Sequence, residues 1–315
     1  MLSKIKFRIK VLSNALSNFS ASITNALKLN SDSQEVLYIN DTSHMPPTGR
    51  GFFSFVLEVL YLISVNGEKN IFVDYRNTIY NNSPDENMWG YCFEPIVNDP
   101  KSKKIYRYLF FIEAFRNVYA DQSKKYRQLF YQVIKDRIRI KKTILDKTEK
   151  FYDEHMRGDR CLGVQYRAAL DTARMDAGNT RRPDPYFSKY SLENYFKKID
   201  VLLAEKHFTK IFLATDNPDS LESFRKRYGD KIVVYSTQHK VTVAGIRFMK
   251  TDNRRILAEE VMIDCLLLSK CGYLIHGASN ISTVAKYFNK FLPAENVDIK
   301  PVTLIRKMLF KILYL

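Results

Sequence analysis

Residues 210–236, KIFLATDNPDSLESFRKRYGDKIVVYS, predict a strand, a helix and a second strand in succession. The apolar run 210–215 has the length of a buried strand, and the Asp216-Asn217-Pro218 sequence is typical of a helix start. A helix over 217–228 then leads to the strand KIVVYS at 231–236. Two strands joined by one short helix favour parallel pairing, so this stretch predicts an α/β fold.

The same alternation continues on both sides of this unit. The second half of the chain predicts, besides 210–236, a strand RCLGVQY at 160–166, a loop over 167–187, a helix over 188–206, a loop to residue 253, a helix over 254–270, a strand GYLIHG at 272–277 and a helix over 280–289. The first half predicts a strand at 36–39, a helix over 52–67, a strand at 70–75, an irregular stretch over 76–100 and helices over 103–120 and 123–146. Two such sets in series predict two α/β domains that face each other across a cleft.

Composition and pattern divide the 315 residues into four parts. We expect a basic N-terminal segment, an α/β domain with basic helices, a second α/β domain and a basic amphipathic tail, over residues 1–35, 36–155, 156–295 and 296–315 respectively.

The net charge of +16 is concentrated in a few segments. Residues 101–142 hold thirteen Lys and Arg against three acids, and residues 1–30 and 300–315 hold basic residues and no acid. The rest of the chain is close to neutral, and no nucleic-acid-binding module is recognisable, so we expect no nucleic-acid partner. The basic ends fit an anionic membrane surface, with contacts through residues 1–30 and 301–315. The alternative for the tail is a C-terminal helix packed on its own domain.

The four cysteines show no CxxC spacing, which is typical of reduced thiols in a cytoplasmic protein. Residues 11–27 contain too many Ser and Asn for the apolar core of a signal peptide, and no apolar run reaches the 18 residues of a membrane span. We therefore expect a cytoplasmic protein, peripheral on the inner face of the membrane.

Polar residues follow three of the predicted strands, and parallel sheets bind ligands beyond the carboxyl ends of their strands. Arg167 closes an apolar strand, and its planar guanidinium suits a diphosphate. Ser279 and Asn280 open a helix, whose N–H groups favour an anion. Asp216 suits a ribose or sugar hydroxyl or a base N–H. The donor-side candidates are Gly163, Arg167, Thr215, Asp216, His276, Ser279, Asn280 and Ser282.

Each of these candidates also has a structural interpretation. Asp216 with Asn217, and likewise Ser279 or Asn280, could simply cap the following helix. A histidine at a strand end, such as His276, is more often a hydrogen-bonded structural residue. The run of apolar residues before Arg167 gives that arginine no such structural task.

Three segments resemble the donor-binding half of the GDP-fucose-type fucosyltransferase superfamily, which includes the α-1,6-fucosyltransferases and the nodulation fucosyltransferases. These are LGVQYR with the polar loop after it, residues 210–236, and EEVMIDCLLLSKCGYLIHGASNISTVAKYF at 259–288. The first half is similar to bacterial members in GRGFFSFVLEVLYLI, IFVDYRNTIYN and NMWGYCFEPI. The resemblance covers about residues 36–290.

The resemblance implies a GT-B fold of two Rossmann-like domains, with an acceptor-side domain over residues 36–155 and a nucleotide-sugar-binding domain over residues 156–295. It also implies an inverting transfer that needs no metal ion or other cofactor. It also implies that Arg167 grips the diphosphate of the donor, that Asp216 lies near the nucleoside, and that Ser279 and Asn280 face the phosphates. The donor would be GDP-fucose. No DxD triad or cluster of metal-binding spacing is found in the sequence.

The chain departs from relatives in the segment that follows the strand at 160–166. Gln165 replaces a histidine of relatives, and Leu170 replaces an acid three residues after the arginine. Asp171 and Asp176 remain as candidate general bases for the acceptor hydroxyl. Either Asp171 takes the role of the missing acid, or the donor has changed or activity has been lost.

The sequence thus predicts an inverting glycosyltransferase that moves fucose from GDP-fucose to a hydroxyl of a surface polysaccharide or lipopolysaccharide-type acceptor. We expect acceptor contacts from His44, Arg50 and Gly51. The alternatives are a non-catalytic nucleotide- or glycan-binding protein of GT-B type and, as a third class, a nucleic-acid-binding protein.

Overall fold

The second half of the chain forms a five-stranded parallel sheet. Its strands, in spatial order, are β10 (Ala294–Asn296), β9 (Tyr273–His276), β4 (Cys161–Tyr166), β5 (Lys210–Thr215) and β6 (Ile232–Val233). The computed structural model describes residues 38–41, 51–66, 71–97, 104–106, 124–167, 192–235, 241–243, 246–248, 254–277 and 279–297. The two central strands of this sheet, β4 and β5, are buried along almost their whole length, as expected for a sheet covered on both faces.

The first half forms a three-stranded parallel sheet with the order β2-β1-β3. Its strands are β1 (Tyr38–Asp41), β2 (Ile71–Asp74) and β3 (Lys104–Tyr106). The α/β class with parallel sheets, predicted from the alternation of strands and helices, is therefore confirmed.

Eight α-helices lie in the described ranges. They are α1 (Phe52–Asn66), α2 (Trp89–Cys92), α3 (Lys124–Arg137), α4 (Lys142–His155), α5 (Leu192–Lys206), α6 (Pro218–Tyr228), α7 (Arg254–Ser269) and α8 (Asn280–Phe288). None of the helices in the described ranges is long and apolar enough to cross a membrane.

The structure corrects the predicted helices over 103–120 and 123–146. Residues 104–106 form β3, which pairs in parallel with β1, so strand pairing overrides local helix preference there. The second helix is two helices, α3 and α4, because Ile140 between them forms an antiparallel bridge with Phe93. That bridge is reinforced by hydrogen bonds from Glu94 N to Arg139 O at 2.8 Å and from Lys141 N to Cys92 O at 2.9 Å.

Two further strand predictions are incomplete. The loop predicted up to residue 253 contains an antiparallel hairpin, β7 (Val241–Val243) with β8 (Ile246–Phe248). The strand β10 was not predicted, because a three-residue edge strand carries no periodic signal. The first strand is described over Tyr38–Asp41, which overlaps the predicted 36–39, and residues 36 and 37 lie outside the described ranges.

One hydrophobic core joins elements from both halves of the chain. It contains side chains of α1, α3 and α4 together with α7 and α8, and Trp89, Tyr91 and Phe93 lie buried within it. A second, smaller cluster packs α5 and α6 on the other face of the large sheet. The predicted domain boundary near residue 155 therefore crosses a continuous core, and the division into domains stays a prediction.

All four cysteines are free and buried, as the sequence predicts. Burial raises the pKa of each thiol. These thiols are accordingly packing residues rather than nucleophiles.

Candidate functional site

Three neighbouring strands of the large sheet carry the predicted donor-side residues. In the strand register Gln165 of β4 lies opposite His276 of β9 on one side and Ala214 of β5 on the other. The carboxyl ends of β9, β4 and β5 therefore lie side by side. Arg167, Asp216 and Ser279 follow these three ends, so the structure brings them to one edge of the sheet.

Arg167 and Asp216 form an ion pair at this edge. Arg167 Nε lies 3.6 Å from Asp216 Oδ2, and 43% of the arginine side chain and 21% of the aspartate side chain remain exposed. The distance is that of a charge contact rather than a short hydrogen bond. Arg167 can therefore turn its guanidinium toward an arriving anion while it stays close to the carboxylate.

The cap of α6 is Asn217, not Asp216. Asn217 Oδ1 accepts hydrogen bonds from Ser220 N at 2.8 Å and from Ser220 Oγ at 3.0 Å, and Pro218 occupies the first turn. The buried Thr215 accepts a hydrogen bond from Asn217 N at 3.3 Å through its hydroxyl. The contacts at the start of α6 therefore involve Asn217 and Thr215, whereas the carboxylate of Asp216 pairs with Arg167.

The start of α8 has the features of an anion-binding helix N-terminus. Ser279 is the N-cap residue with extended backbone angles, and its side chain makes no capping hydrogen bond. Its carbonyl accepts the first bond of the helix, from Thr283 N at 3.2 Å. The backbone N–H groups at the first turn of a helix, together with the helix dipole, favour an anion in front of them, and α8 begins at Asn280.

His276 and Ser282 lie behind this surface rather than on it, because both side chains are buried. The Ser282 hydroxyl donates to Ser279 O at 2.8 Å. His276 Nδ1 lies 2.7 Å from Gly277 O, and its Nε2 lies 3.0 Å from Nζ of Lys286. Burial lowers the pKa of His276 to about 4, with a further lowering by Arg127 and an opposing effect of the Gly277 carbonyl. The structure therefore supports the interpretation of His276 as a buried, hydrogen-bonded structural residue.

Gly163 lies in the middle of β4, away from the carboxyl edge. A Cβ at this position would lie 3.1 Å from both Cβ and Sγ of Cys271 and 3.3 Å from Tyr273 O. Glycine at this position therefore allows the turn between α7 and β9 to pack closely against β4. The structure does not place Gly163 beside Arg167 and Asp216.

The remaining predicted residues belong to other parts of the chain. Asp171, Asp176, His44 and Arg50 lie outside the described residues. Gly51 immediately precedes α1, and its carbonyl accepts a hydrogen bond from Ser54 N at 2.9 Å.

A second arginine–aspartate pair, which was not predicted, follows β2 in the small sheet. Arg76 Nε lies 2.9 Å from Oδ1 of the buried Asp74, while 42% of the arginine side chain is exposed. The sequence signal was available, because VDYR at 73–76 resembles VQYR at 164–167. In each of the two parallel sheets, one strand therefore ends close to an arginine.

The stretch 76–88, predicted to be irregular, is held in a defined conformation by two asparagines. Asn87 donates to Val73 O at 2.6 Å and accepts from Tyr75 N and Trp89 N at 3.1 Å. Asn81 donates to Glu86 O at 2.7 Å. Asn82 Oδ1 accepts a hydrogen bond from Arg254 N at 2.6 Å, which links this stretch to the start of α7.

In the described part of the chain, no group of three or more His, Cys, Asp or Glu side chains could hold a metal ion. Metal independence itself stays a prediction.

Solved structures with a similar architecture are fucosyltransferases. The structure of the fucosyltransferase NodZ from Bradyrhizobium superposes with a TM-score of 0.53 at 16% identity, covering 84% of this chain and 96% of NodZ. NodZ α-1,6-fucosyltransferase soaked with GDP-fucose superposes with a TM-score of 0.51 at 16% identity, covering 81% of this chain and 93% of NodZ. NodZ co-crystallised with GDP superposes with a TM-score of 0.51 at 16% identity, covering 84% of this chain and 95% of NodZ. The chain has the fold of NodZ. The GT-B fold predicted from the sequence is thereby confirmed. No family model matches the chain, and no curated protein matches it by sequence.

Proposed function

We propose that this protein is an inverting glycosyltransferase that transfers fucose from GDP-fucose to a hydroxyl of a glycan acceptor. The observation that carries the proposal is the convergence of Arg167, Asp216 and the start of α8 at one edge of the large sheet. A nucleoside diphosphate offers what these groups bind, namely phosphate oxygens and hydroxyl or base donors. The NodZ structures with GDP and GDP-fucose support the choice of guanine nucleotide and sugar.

In the proposed reaction the acceptor hydroxyl attacks C1 of the fucose from the face opposite the diphosphate. The bond between C1 and the β-phosphate oxygen breaks, and GDP leaves with the negative charge. Arg167 and the first-turn N–H groups of α8 stabilise that charge as it develops. Asp171 or Asp176 takes the proton of the acceptor hydroxyl as general base.

The acceptor would bind beside the small sheet, where Asp74 ends β2 and Arg76 follows it. A carboxylate and a guanidinium at fixed separation suit the hydroxyl and acidic groups of a surface polysaccharide or lipopolysaccharide. We also propose that the basic segments 1–30 and 301–315 hold the protein on the inner, anionic face of a membrane where such acceptors are made.

A non-catalytic nucleotide-binding protein is the second candidate, favoured by one observation. Leu170 stands where relatives have an acid after the arginine, so donor binding could persist without transfer.

The proposal is tested by thermal shift with GDP, UDP, CDP and ADP, each with and without magnesium, followed by release of GDP from GDP-fucose. We expect stabilisation by GDP without magnesium and turnover that rises with acceptor. Stabilisation without turnover would favour the second candidate, and stabilisation by another nucleotide alone would overturn the choice of donor. If turnover is observed, Asp171→Asn and Asp176→Asn identify the base, because loss of kcat with unchanged GDP affinity is expected for one of the two variants.

A further inference from the structure

A buried histidine–lysine pair lies behind the start of α8. His276 ends β9, Lys286 lies in the last turn of α8, and each is 1% exposed. Long helical side chains point toward the N-terminus of their helix, and Lys286 follows this rule by reaching back to the strand end. Its Nζ lies 3.0 Å from Nε2 of His276. A potentially cationic group is thus buried below the helix turn assigned to the diphosphate.

The hydrogen bonds define the protonation of the histidine. The Gly277 carbonyl can only accept, so Nδ1 of His276, at 2.7 Å, carries the ring hydrogen. Nε2 is then the acceptor, and Lys286 donates to it whether it is an amine or an ammonium. A charged histidine would direct a second donor at the lysine, so the pair carries one positive charge at most.

The surroundings oppose that charge in the free protein. Burial lowers the pKa of Lys286 well below its ordinary value, and burial and Arg127 lower that of His276. The buried charged or titratable side chains on the elements packed against α8 are Glu259, Glu260, Asp264 and Cys265 of α7 and Glu58 of α1, beside the partly buried Arg127 of α3 and the buried Tyr287 of α8 itself. Arg127 is held in place by its hydrogen bond to Leu292 O at 2.9 Å, so its positive charge stays in the neighbourhood of His276.

We propose that Lys286, oriented by His276, is a buried positioning cation for the donor diphosphate, and that the pair takes up a proton when the diphosphate binds. The inference rests on the proposed function, because it needs an anion at the start of α8. An arriving diphosphate supplies negative charge close to Lys286 in a medium of low dielectric, which favours the ammonium form. By linkage, GDP binds more tightly as the pH falls through the pKa of the bound state.

The test is calorimetric titration with GDP at pH 8 in buffers of different ionisation enthalpy. At this pH the phosphate of GDP is itself deprotonated, since its second pKa is about 6. We expect uptake of about 0.3 to 1 proton per GDP bound, and none for guanosine. Lys286→Met removes the charge at nearly constant volume and should abolish the uptake and weaken GDP binding about tenfold. Lys226→Met, on the exposed face of α6, is the matched control and should retain both.

Each possible outcome of these titrations either supports or overturns the inference. GDP binding without proton uptake in the unaltered protein would overturn the inference and leave the proposed function standing, and this measurement needs no variant. Uptake that persists in Lys286→Met would also overturn it, because another group would then take the proton. Absence of GDP binding would overturn the proposed donor together with the inference.

Discussion

Arg167 and Asp216 follow the ends of neighbouring parallel strands, and their charged groups approach to 3.6 Å. In the free protein the carboxylate therefore partly balances the charge that the guanidinium presents at the sheet edge. A ligand that binds there must draw Arg167 toward its phosphates and also satisfy Asp216. This double requirement distinguishes a nucleoside diphosphate from a simple anion.

Replacement of Arg167 tests the diphosphate contact. Arg167→Ala should weaken GDP binding about 10- to 100-fold, because charge-assisted hydrogen bonds to phosphate contribute about 1.5–3 kcal/mol. Calorimetric titration gives the affinity, and Arg225→Ala, an exposed arginine on α6, is the control. Equal affinity of Arg167→Ala and the unaltered protein would remove Arg167 from the site.

Replacement of Asp216 tests whether this carboxylate contacts the nucleoside. Asp216→Asn should weaken GDP binding about tenfold through the loss of a charged acceptor. The same variant should bind pyrophosphate as well as or better than the unaltered protein, because Arg167 is no longer balanced. A parallel loss for both ligands in the same titrations would mean that Asp216 acts only by orienting Arg167.

Replacement of Gly163 tests its packing role. Gly163→Ala adds a Cβ at 3.1 Å from Cys271, and such overpacking lowers the free energy of unfolding by about 1–3 kcal/mol. Gly90→Ala is the matched control, because no atom lies within 4 Å of the added Cβ. Urea denaturation measures the free energy of unfolding of the Gly163→Ala and Gly90→Ala variants. A stable Gly163→Ala variant with weakened GDP binding would instead assign the glycine to the donor.

The ion pairs of Glu259 predict a pH-dependent contribution to stability. Lys147 Nζ and Arg255 Nε lie 2.6 Å and 2.7 Å from this carboxylate. Burial opposes ionisation, but hydrogen bonds from both partners hold the pKa of Glu259 below its ordinary value. The stabilisation is therefore fully present above the ordinary pKa of 4.5 and is lost as the pH falls through the lowered pKa of the folded state.

Glu259→Gln should accordingly lower the free energy of unfolding by about 1–2 kcal/mol at pH 7. The difference from the unaltered protein should shrink in acid. Lys142→Met breaks the fully exposed pair with Asp146 and should cost less than about 0.5 kcal/mol, which makes it the control. Chemical denaturation at pH 7 and in acid measures these differences, and a constant difference between the two would contradict the assignment.

Deletion of residues 301–315 tests membrane attachment through the basic tail. We expect weaker binding to anionic liposomes and nearly unchanged turnover of a soluble acceptor, because the deleted lysines and arginine contribute about 1 kcal/mol each at an anionic surface. Co-sedimentation with liposomes is the measurement. Equal binding of the full-length and shortened proteins would refute a role of the tail in attachment.

The sequence predicted those parts of the site that depend on local order along the chain. Arg167, Asp216 and Ser279 each follow a recognisable strand, and parallel pairing alone brings them to one edge. The break between α3 and α4 was missed because it depends on pairing of Ile140 with Phe93, 47 positions earlier in the sequence. Lys286 was missed for a similar reason, since NISTVAKYF is an ordinary amphipathic helix until packing buries the lysine.

The hydrogen bond from Arg254 N to Asn82 has a consequence for the order in which substrates bind. Asn82 belongs to the stretch that follows β2 on the proposed acceptor side, and Arg254 begins α7, which packs on β4 and β5 below the donor edge. Movement of either segment must shift the other or break this bond. If the two proposed sites are linked in this way, binding of one substrate would change the site of the other, and we expect sequential rather than independent occupancy.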